Sequence, residues 1–87
     1  MVKIDIYTSA TCPECKRAKA LLRSKNVSFN ELEVDGNPEI IAESVKRSDG
    51  MRTVPQIFIE DFHIAGYDSL KNLDETGQLD ALLNGRK

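Results

Sequence analysis

The apolar positions along the chain follow two periods, and the switches between them mark out the elements. In "VKIDIY" (2–7), Val2, Ile4 and Ile6 alternate with Lys3 and Asp5 and lead into Tyr7, the pattern of a strand. From Pro13 to Lys25 the spacing becomes helical: Ala18, Leu21, Leu22 and Lys25 share one face, and Lys16, Arg17, Lys19 and Arg23 supply the polar one. Asn26 is placed to terminate that helix. "VSFNELEV" (27–34) alternates again through Val27, Phe29, Leu32 and Val34, with a slip of register in the middle. "DGNPE" (35–39) is a turn into a second helix, with Asn37 as N-cap and Pro38 at the first helical position. Ile40, Ile41, Ser44 and Val45 continue this helix, and "SDG" (48–50) ends it. "VPQIFIE" (54–60) gives the strongest strand signal, and "EDF" (60–62) turns tightly into a short strand, "HIA" (63–65). "GYDSLKNLDETGQLDALL" then reads as two short helical pieces broken near Gly77.

The resulting order is β-α-β-α-β-β-α. A first βαβ unit of this kind is parallel and right-handed, with its helix on one sheet face. The third and fourth strands are too close in sequence for a crossover, so they pair as an antiparallel hairpin. An α/β fold with a four-stranded mixed sheet flanked by helices is expected. Ligand chemistry in such sheets gathers beyond the carboxyl end of a parallel strand, where the next helix begins. Cys12 and Cys15 fall at that place.

Composition narrows the function classes. The chain has 87 residues, which leaves room for one small domain spanning 1–87. A formal net charge of −2 argues against a dominant nucleic-acid role, which favours a concentrated basic face. No apolar run approaches the ~18 residues of a membrane span. The N-terminus lacks the charged leader and long apolar stretch of a secretory signal. Two cysteines do not make the disulfide framework of a secreted mini-protein, so a reducing cytoplasmic setting is expected. A monomer is the default, since no apolar patch stands out in the pattern.

The motif that carries chemistry is "TCPECKRAKALL". With Cys12 at the N-cap, Pro13 takes N1, Glu14 N2 and Cys15 N3. Proline costs nothing at N1, where its missing N–H would have had no intrahelical partner. The free N–H groups of the first turn and the positive end of the helix dipole both favour a Cys12 thiolate. Cys15, one turn further in, should be covered and protonated. An exposed thiolate beside a neighbouring thiol suits disulfide exchange, in which the first sulfur attacks and the second resolves. A zinc half-site would need two more ligands, and the chain offers only His63 and carboxylates. A Cys12–Cys15 staple would close too short a loop to restrict the unfolded chain. Two incidental buried cysteines would not account for "CPxC" opening a helix directly after a strand. A reactive dithiol is the reading that remains.

"IYTSATCPECKRAKALL", "RTVPQIFI" and "HIAGYDSL", in this order and spacing, resemble the glutaredoxins, specifically the small dithiol class of bacteria. The resemblance covers almost the whole chain and implies the thioredoxin fold. It implies an enzyme that uses glutathione to reduce protein disulfides and protein–glutathione mixed disulfides. Glutathione is then a co-substrate and no metal is expected. The partners implied are disulfide-containing or glutathionylated proteins, among which some relatives serve ribonucleotide reductase. Cys12 matches the nucleophile and Cys15 the resolving thiol. Pro55 matches a proline that the family holds in the cis form, turning the Val54 backbone toward Cys12. That backbone would pair with the glutathione cysteine like an added strand. Thr53 and Val54 also read as ordinary strand residues, and for their side chains the two readings stand side by side. Gly66, Tyr67 and Asp68 match the loop and helix start that receive the γ-glutamyl end, where free N–H groups accept a carboxylate. On sequence alone Asp68 is an N-cap; the resemblance adds a contact with the ligand's α-ammonium. His63 decorates an edge strand and is assigned no chemistry.

The chain departs from the family pattern at several positions. Relatives often carry a cation just after the first strand, where this chain has Ser9 and Ala10. Arg52 is the leading remaining cation for the glycine carboxylate of glutathione, with Lys16 second. The usual aromatic between the cysteines is Glu14, and Ser69 stands where many relatives have a second acid. Glu14 favours the helix through its dipole but disfavours a nearby thiolate and an anionic ligand, so it is expected to modulate the site. Two rival readings keep the same fold. One is a dimer sharing a [2Fe–2S] cluster through Cys12 and two glutathiones, against which Pro13 and Cys15 count. The other is a dithiol reductase driven by a thioredoxin-type reductase, because the glutathione cations are depleted.

Overall fold

The computed structural model describes residues 2–84. Met1 and residues 85–87, the ends of the expected 1–87 domain, lie outside the described residues. The elements are β1 (Ile4–Thr8), α1 (Pro13–Ser24), β2 (Asn30–Glu33), α2 (Pro38–Arg47), β3 (Gln56–Ile59), β4 (Phe62–Ala65), α3 (Gly66–Glu75) and α4 (Gln78–Leu83). The expected order stands, with the last helical stretch divided in two at Gly77, whose φ is +81°. The strands lie in the order β2-β1-β3-β4. β1 runs parallel to β2 and antiparallel to β3, and β3 and β4 form the antiparallel hairpin.

Register assigns the two sheet faces. Ile4 pairs with Ile59 and Ile6 with Ile57, and Ile57 with Ile64, so these share a face with each other. Together with Ala18 and Leu22 of α1, Leu70 of α3 and Leu79 of α4 they form the hydrophobic core. Each fully buried Leu or Ile of this kind contributes about 1.5–3 kcal/mol of transfer free energy. Lys25, at the end of α1, bridges to Asp74 and Asp80 and ties α1 to the last two helices. Asn26 terminates α1 as expected, in the left-handed region with φ +58°.

The opposite face of β1 is covered as well. All five residues of β1 are buried, because β1 is interior to the sheet and its second face is also covered. Asp5 and Tyr7 lie there, paired across β3 with Phe58 and Gln56. Arg47 of α2 donates to Asp5 at 3.0 Å and to the Tyr7 hydroxyl at 2.9 Å. Its guanidinium also stacks 4.0 Å above the Phe58 ring. Tyr7 donates to Glu43, and Asn30 donates to Asp5 at 3.4 Å. Burial and Glu43 raise the Tyr7 phenol above its ordinary value against the pull of Arg47. Burial opposes the Arg47 charge, but Tyr7 and Asp5 outweigh it and hold the guanidinium protonated. α2 is therefore held to the sheet by a polar cluster, with Ser44 and Ser48 as the buried residues of its lower turn.

Other boundaries move for local reasons. β2 is an edge strand of four residues, largely exposed, and Val27 and Phe29 pack on the core from the loop before it. β3 begins at Gln56, two residues later than the pattern suggests. Pro55 has no N–H for a ladder, and the Gln56 side chain folds back to donate to Thr53 O and Oγ1 at 3.0 and 3.2 Å. Thr53 and Val54 thus belong to a loop, not to the strand. Asn37 occupies the N-cap of α2, but its amide donates to Glu33 O and Asp35 O instead of capping the helix.

Candidate active site

The site forms where β1 ends and α1 begins. Cys12 is the N-cap of α1 in extended conformation, with Pro13 opening the first turn. Its sulfur accepts the Cys15 N–H at 3.1 Å, so the thiol takes the place of a capping serine or aspartate. Across the site the Cys12 thiol donates to the Val54 carbonyl at 3.7 Å. The Val54–Pro55 bond is cis, and it brings this loop against the helix start as the resemblance implied. Cys12 is half-buried while Cys15 is fully buried, matching the expected asymmetry of the pair. Burial first, then the hydrogen bond and charge of Cys12, push the Cys15 thiol up to about 12. The Ser9 backbone and Lys19 pull in the other direction.

The loop from β4 into α3 lies next to this motif in the fold, joined by Gly66 N–H donating to Pro55 O at 3.0 Å. Gly66 is required by its φ of +86°, which turns the chain straight from strand to helix. Ala65, not Asp68, is the N-cap of α3, so the capping expectation for Asp68 is corrected. Asp68 stands inside the first turn, where its charge complements the helix dipole, and its side chain is exposed. Tyr67 is half-buried and packs against the core. Arg52 and Thr53 are exposed on the loop before Val54, and Glu14 is exposed on the first turn of α1. Arg52 and Lys16 form no ion pair among the described residues. His63 does lie on the edge strand, but it is stacked 4.7 Å from Phe58 and bonded to Gln56 on the covered face.

Two features of the site escaped the sequence reading. The Ser9–Ala10 segment, where a cation was missed, is held by Asp35 from the turn after β2. Thr8 donates to Glu31 at 2.7 Å, and Lys19 bridges to the same carboxylate at 2.8 Å. These contacts join β1, the loop after it and α1 to β2 and the turn that follows, and carry no local sequence signal.

Residues 4–64 match the family model described as Glutaredoxin. Glutaredoxin 3 of Escherichia coli K12 is 58% identical over 83 residues, covering 95% of this chain and 99% of its own. The solution structure of a glutaredoxin from Brucella melitensis superposes with a TM-score of 0.81 at 49% identity, covering 95% of this chain and 89% of that one. A buckwheat glutaredoxin–glutathione complex gives a TM-score of 0.84 at 27% identity, over 97% of this chain and 78% of that one. The mixed sheet with its flanking helices is the thioredoxin fold of these proteins. The chain belongs to the glutaredoxin family of thiol–disulfide oxidoreductases.

Proposed function

We propose that this chain acts as one glutathione-dependent catalytic domain, reducing protein disulfides and protein–glutathione mixed disulfides through Cys12 and Cys15. The observation that carries the reading is the position of the Cys12 sulfur. It receives the Cys15 N–H at 3.1 Å, faces the Val54 carbonyl at 3.7 Å and has a buried thiol directly behind it. Pro13 supports the reading because its missing N–H costs the helix start nothing, while the Cys15 N–H donates to that sulfur.

Cys12 thiolate attacks the glutathionyl sulfur of a mixed disulfide, and the substrate leaves as a thiolate that takes a proton from solvent. A second glutathione then attacks the Cys12–glutathione disulfide, releasing oxidised glutathione and restoring Cys12. With a protein disulfide, Cys15 attacks the Cys12 mixed disulfide instead. The Cys12–Cys15 disulfide so formed is reduced by two glutathiones. Glutathione lies along the 52–55 loop, its cysteine backbone pairing with Val54 above Pro55, with Thr53 beside it and Arg52 meeting the glycine carboxylate. The N–H groups at Tyr67 and Asp68, after Gly66, take the γ-glutamyl carboxylate, and Asp68 meets the α-ammonium. Glu14 lowers affinity for this anionic ligand and modulates the rate. The buckwheat complex supports glutathione as the ligand class. The expected setting is the cytoplasm of the cell, with glutathionylated and disulfide-bearing proteins as partners of a monomer.

Ser9 bound to Asp35, in place of a cation at this position, keeps the choice of reductant the point to test. Reduction of a glutathionylated peptide and of insulin is measured with glutathione plus glutathione reductase, and with a thioredoxin-type reductase. Turnover with glutathione at least tenfold above the other system is the expected result. Turnover only with the thioredoxin-type reductase overturns glutathione dependence.

A further inference from the structure

The loop between β1 and α1 is held from outside by a single carboxylate. Asp35 accepts the Ala10 N–H at 2.8 Å and the Ser9 hydroxyl at 2.9 and 3.1 Å through its two oxygens. The Ser9 hydroxyl lies 3.3 Å from Thr11 Oγ1 and accepts the Thr11 N–H at 3.5 Å, so the brace runs the length of the loop. Asp35 is itself anchored on both sides. Val34 N–H donates to Thr8 O at 2.9 Å, extending the β1–β2 pairing, and the Asn37 amide donates to Asp35 O at 3.2 Å. The hydrogen bonds to Ala10 and Ser9 hold the Asp35 carboxyl below the usual carboxylate range, so it is charged at neutral pH.

This brace ends on the cysteines. The Ser9 carbonyl accepts the Cys12 N–H at 3.2 Å. The same residue's backbone draws the buried Cys15 thiol toward ionisation, against burial and Cys12. The Cys12 sulfur has supports besides the loop, the Cys15 N–H and the Val54 carbonyl. The Cys12 backbone is tied to the loop through Ser9, and the placing of the two cysteines relative to each other depends on that tie.

We propose that Asp35 is a positioning residue for the dithiol step, bracing Ser9–Thr11 so that Cys15 closes onto Cys12. The inference rests on the reading of Cys12 as nucleophile and Cys15 as resolving thiol. In that step Cys15 loses its proton and attacks Cys12 Sγ. The Cys12–Cys15 bond forms as the Cys12–substrate bond breaks, and the substrate sulfur leaves with the electron pair and takes up a proton. The substrate disulfide is reduced and the cysteine pair oxidised. Asp35 takes no part in bond making; it sets the distance over which Cys15 moves.

The test compares wild type, Asp35→Ala and Asp35→Asn in a dithiothreitol redox buffer, which needs no glutathione and no protein substrate. A misplacement of ~1 Å costs up to ~100-fold in a positioned reaction, and a loosened loop a fraction of that. The rate constant for closing the Cys12–Cys15 disulfide, followed after mixing reduced protein with oxidised dithiothreitol, is expected to fall roughly three- to tenfold in Asp35→Ala. Asn presents an oxygen to the same two donors and restores most of the loss. Deglutathionylation, which needs Cys12 alone, falls by less than about twofold under the same loosening. Ser9→Ala removes two of the three carboxylate contacts without touching Asp35, and is the second variant if Asp35→Ala lowers the folded fraction. An unchanged closing rate in the alanine variants overturns the proposal, as does a parallel loss of both activities or failure of Asn to rescue. A wild-type protein that forms no Cys12–Cys15 disulfide in this buffer fails earlier, and refutes the dithiol reading itself.

Discussion

Because the charge on Cys12 helps to hold Cys15 protonated, the two thiols should act in a fixed sequence. Burial is the largest cause of the raised Cys15 value of about 12, followed by the hydrogen bond its thiol donates to Cys12 and by the Cys12 charge. At pH 7 a thiol so placed is ionised to about one part in 10⁵. Burial persists through the cycle, but the charge disappears when Cys12 enters a mixed disulfide. Two unit charges about 4 Å apart repel by about 4 kcal/mol at an effective dielectric of 20, and by about half that where solvent reaches. Cys12 is half-buried and burial is the largest cause of the full rise to about 12, so the lower figure applies. At 1.36 kcal/mol per decade, removing the charge raises the Cys15 thiolate fraction roughly 30-fold. The perturbation is a pair of variants, Cys12→Ser and Cys12→Asp. Both are good N-caps, so α1 keeps its start, but only Asp carries a charge. Alkylation of Cys15 by iodoacetamide is followed from about pH 7 to 10, with a urea-unfolded control for intrinsic reactivity. Access to the buried sulfur is the same in both variants. The serine variant should react at least tenfold faster, with its profile displaced to lower pH. Coinciding profiles would refute the electrostatic ordering of the two steps.

The polar cluster under α2 yields a stability prediction. Arg47→Met leaves the buried Asp5 carboxylate with only the 3.4 Å contact from Asn30 and removes the guanidinium from the Phe58 ring. Breaking a buried pair costs about 3–5 kcal/mol, less here because Arg47 is partly exposed, and the lost cation–π contact adds about 1. A loss of about 2–4 kcal/mol, or about 10–20 °C in Tm, is expected in urea and thermal unfolding. A loss under about 1 kcal/mol would mean the cluster decorates α2 without holding it. His63 gives a pH dependence. Burial, then Arg47, lowers its pKa, so the folded state favours neutral imidazole. That stability is complete above the unfolded value of about 6.5 and is lost as pH falls through the lower folded value. His63→Gln should therefore flatten the fall of Tm between about pH 7.5 and 5; slopes identical to wild type would count against this.

The helix start at Cys12 was legible because every determinant of it is local: a strand ending near Tyr7, a cysteine able to cap, and proline at the next position. Gly77 and Asn26 were legible for the same reason, each sitting where the chain must take a positive φ. Alternation in β1 identified which residues share a face, but not that α2 covers the second face. The burial of Asp5 and Tyr7 therefore had no signal in the alternation. The Asp68 cap failed because Gly66, at φ +86°, starts α3 three residues earlier without a polar cap. Thr53 and Val54 read as strand because β-branched residues suit strands, while the loop they occupy is imposed by Pro55 and by Gln56 folding back. Asp35 looked like a turn residue and nothing more. Its partners are 25 and 26 residues away, and no local pattern carries that information.

The most direct test of the account traps the first covalent intermediate. Cys15→Ser protein is mixed with a glutathionylated peptide, quenched with acid, digested and analysed by mass spectrometry. One glutathione is expected on the peptide carrying Cys12, formed as the substrate peptide is released in its thiol form. A folded variant that leaves the substrate glutathionylated, with no adduct at Cys12, would contradict it.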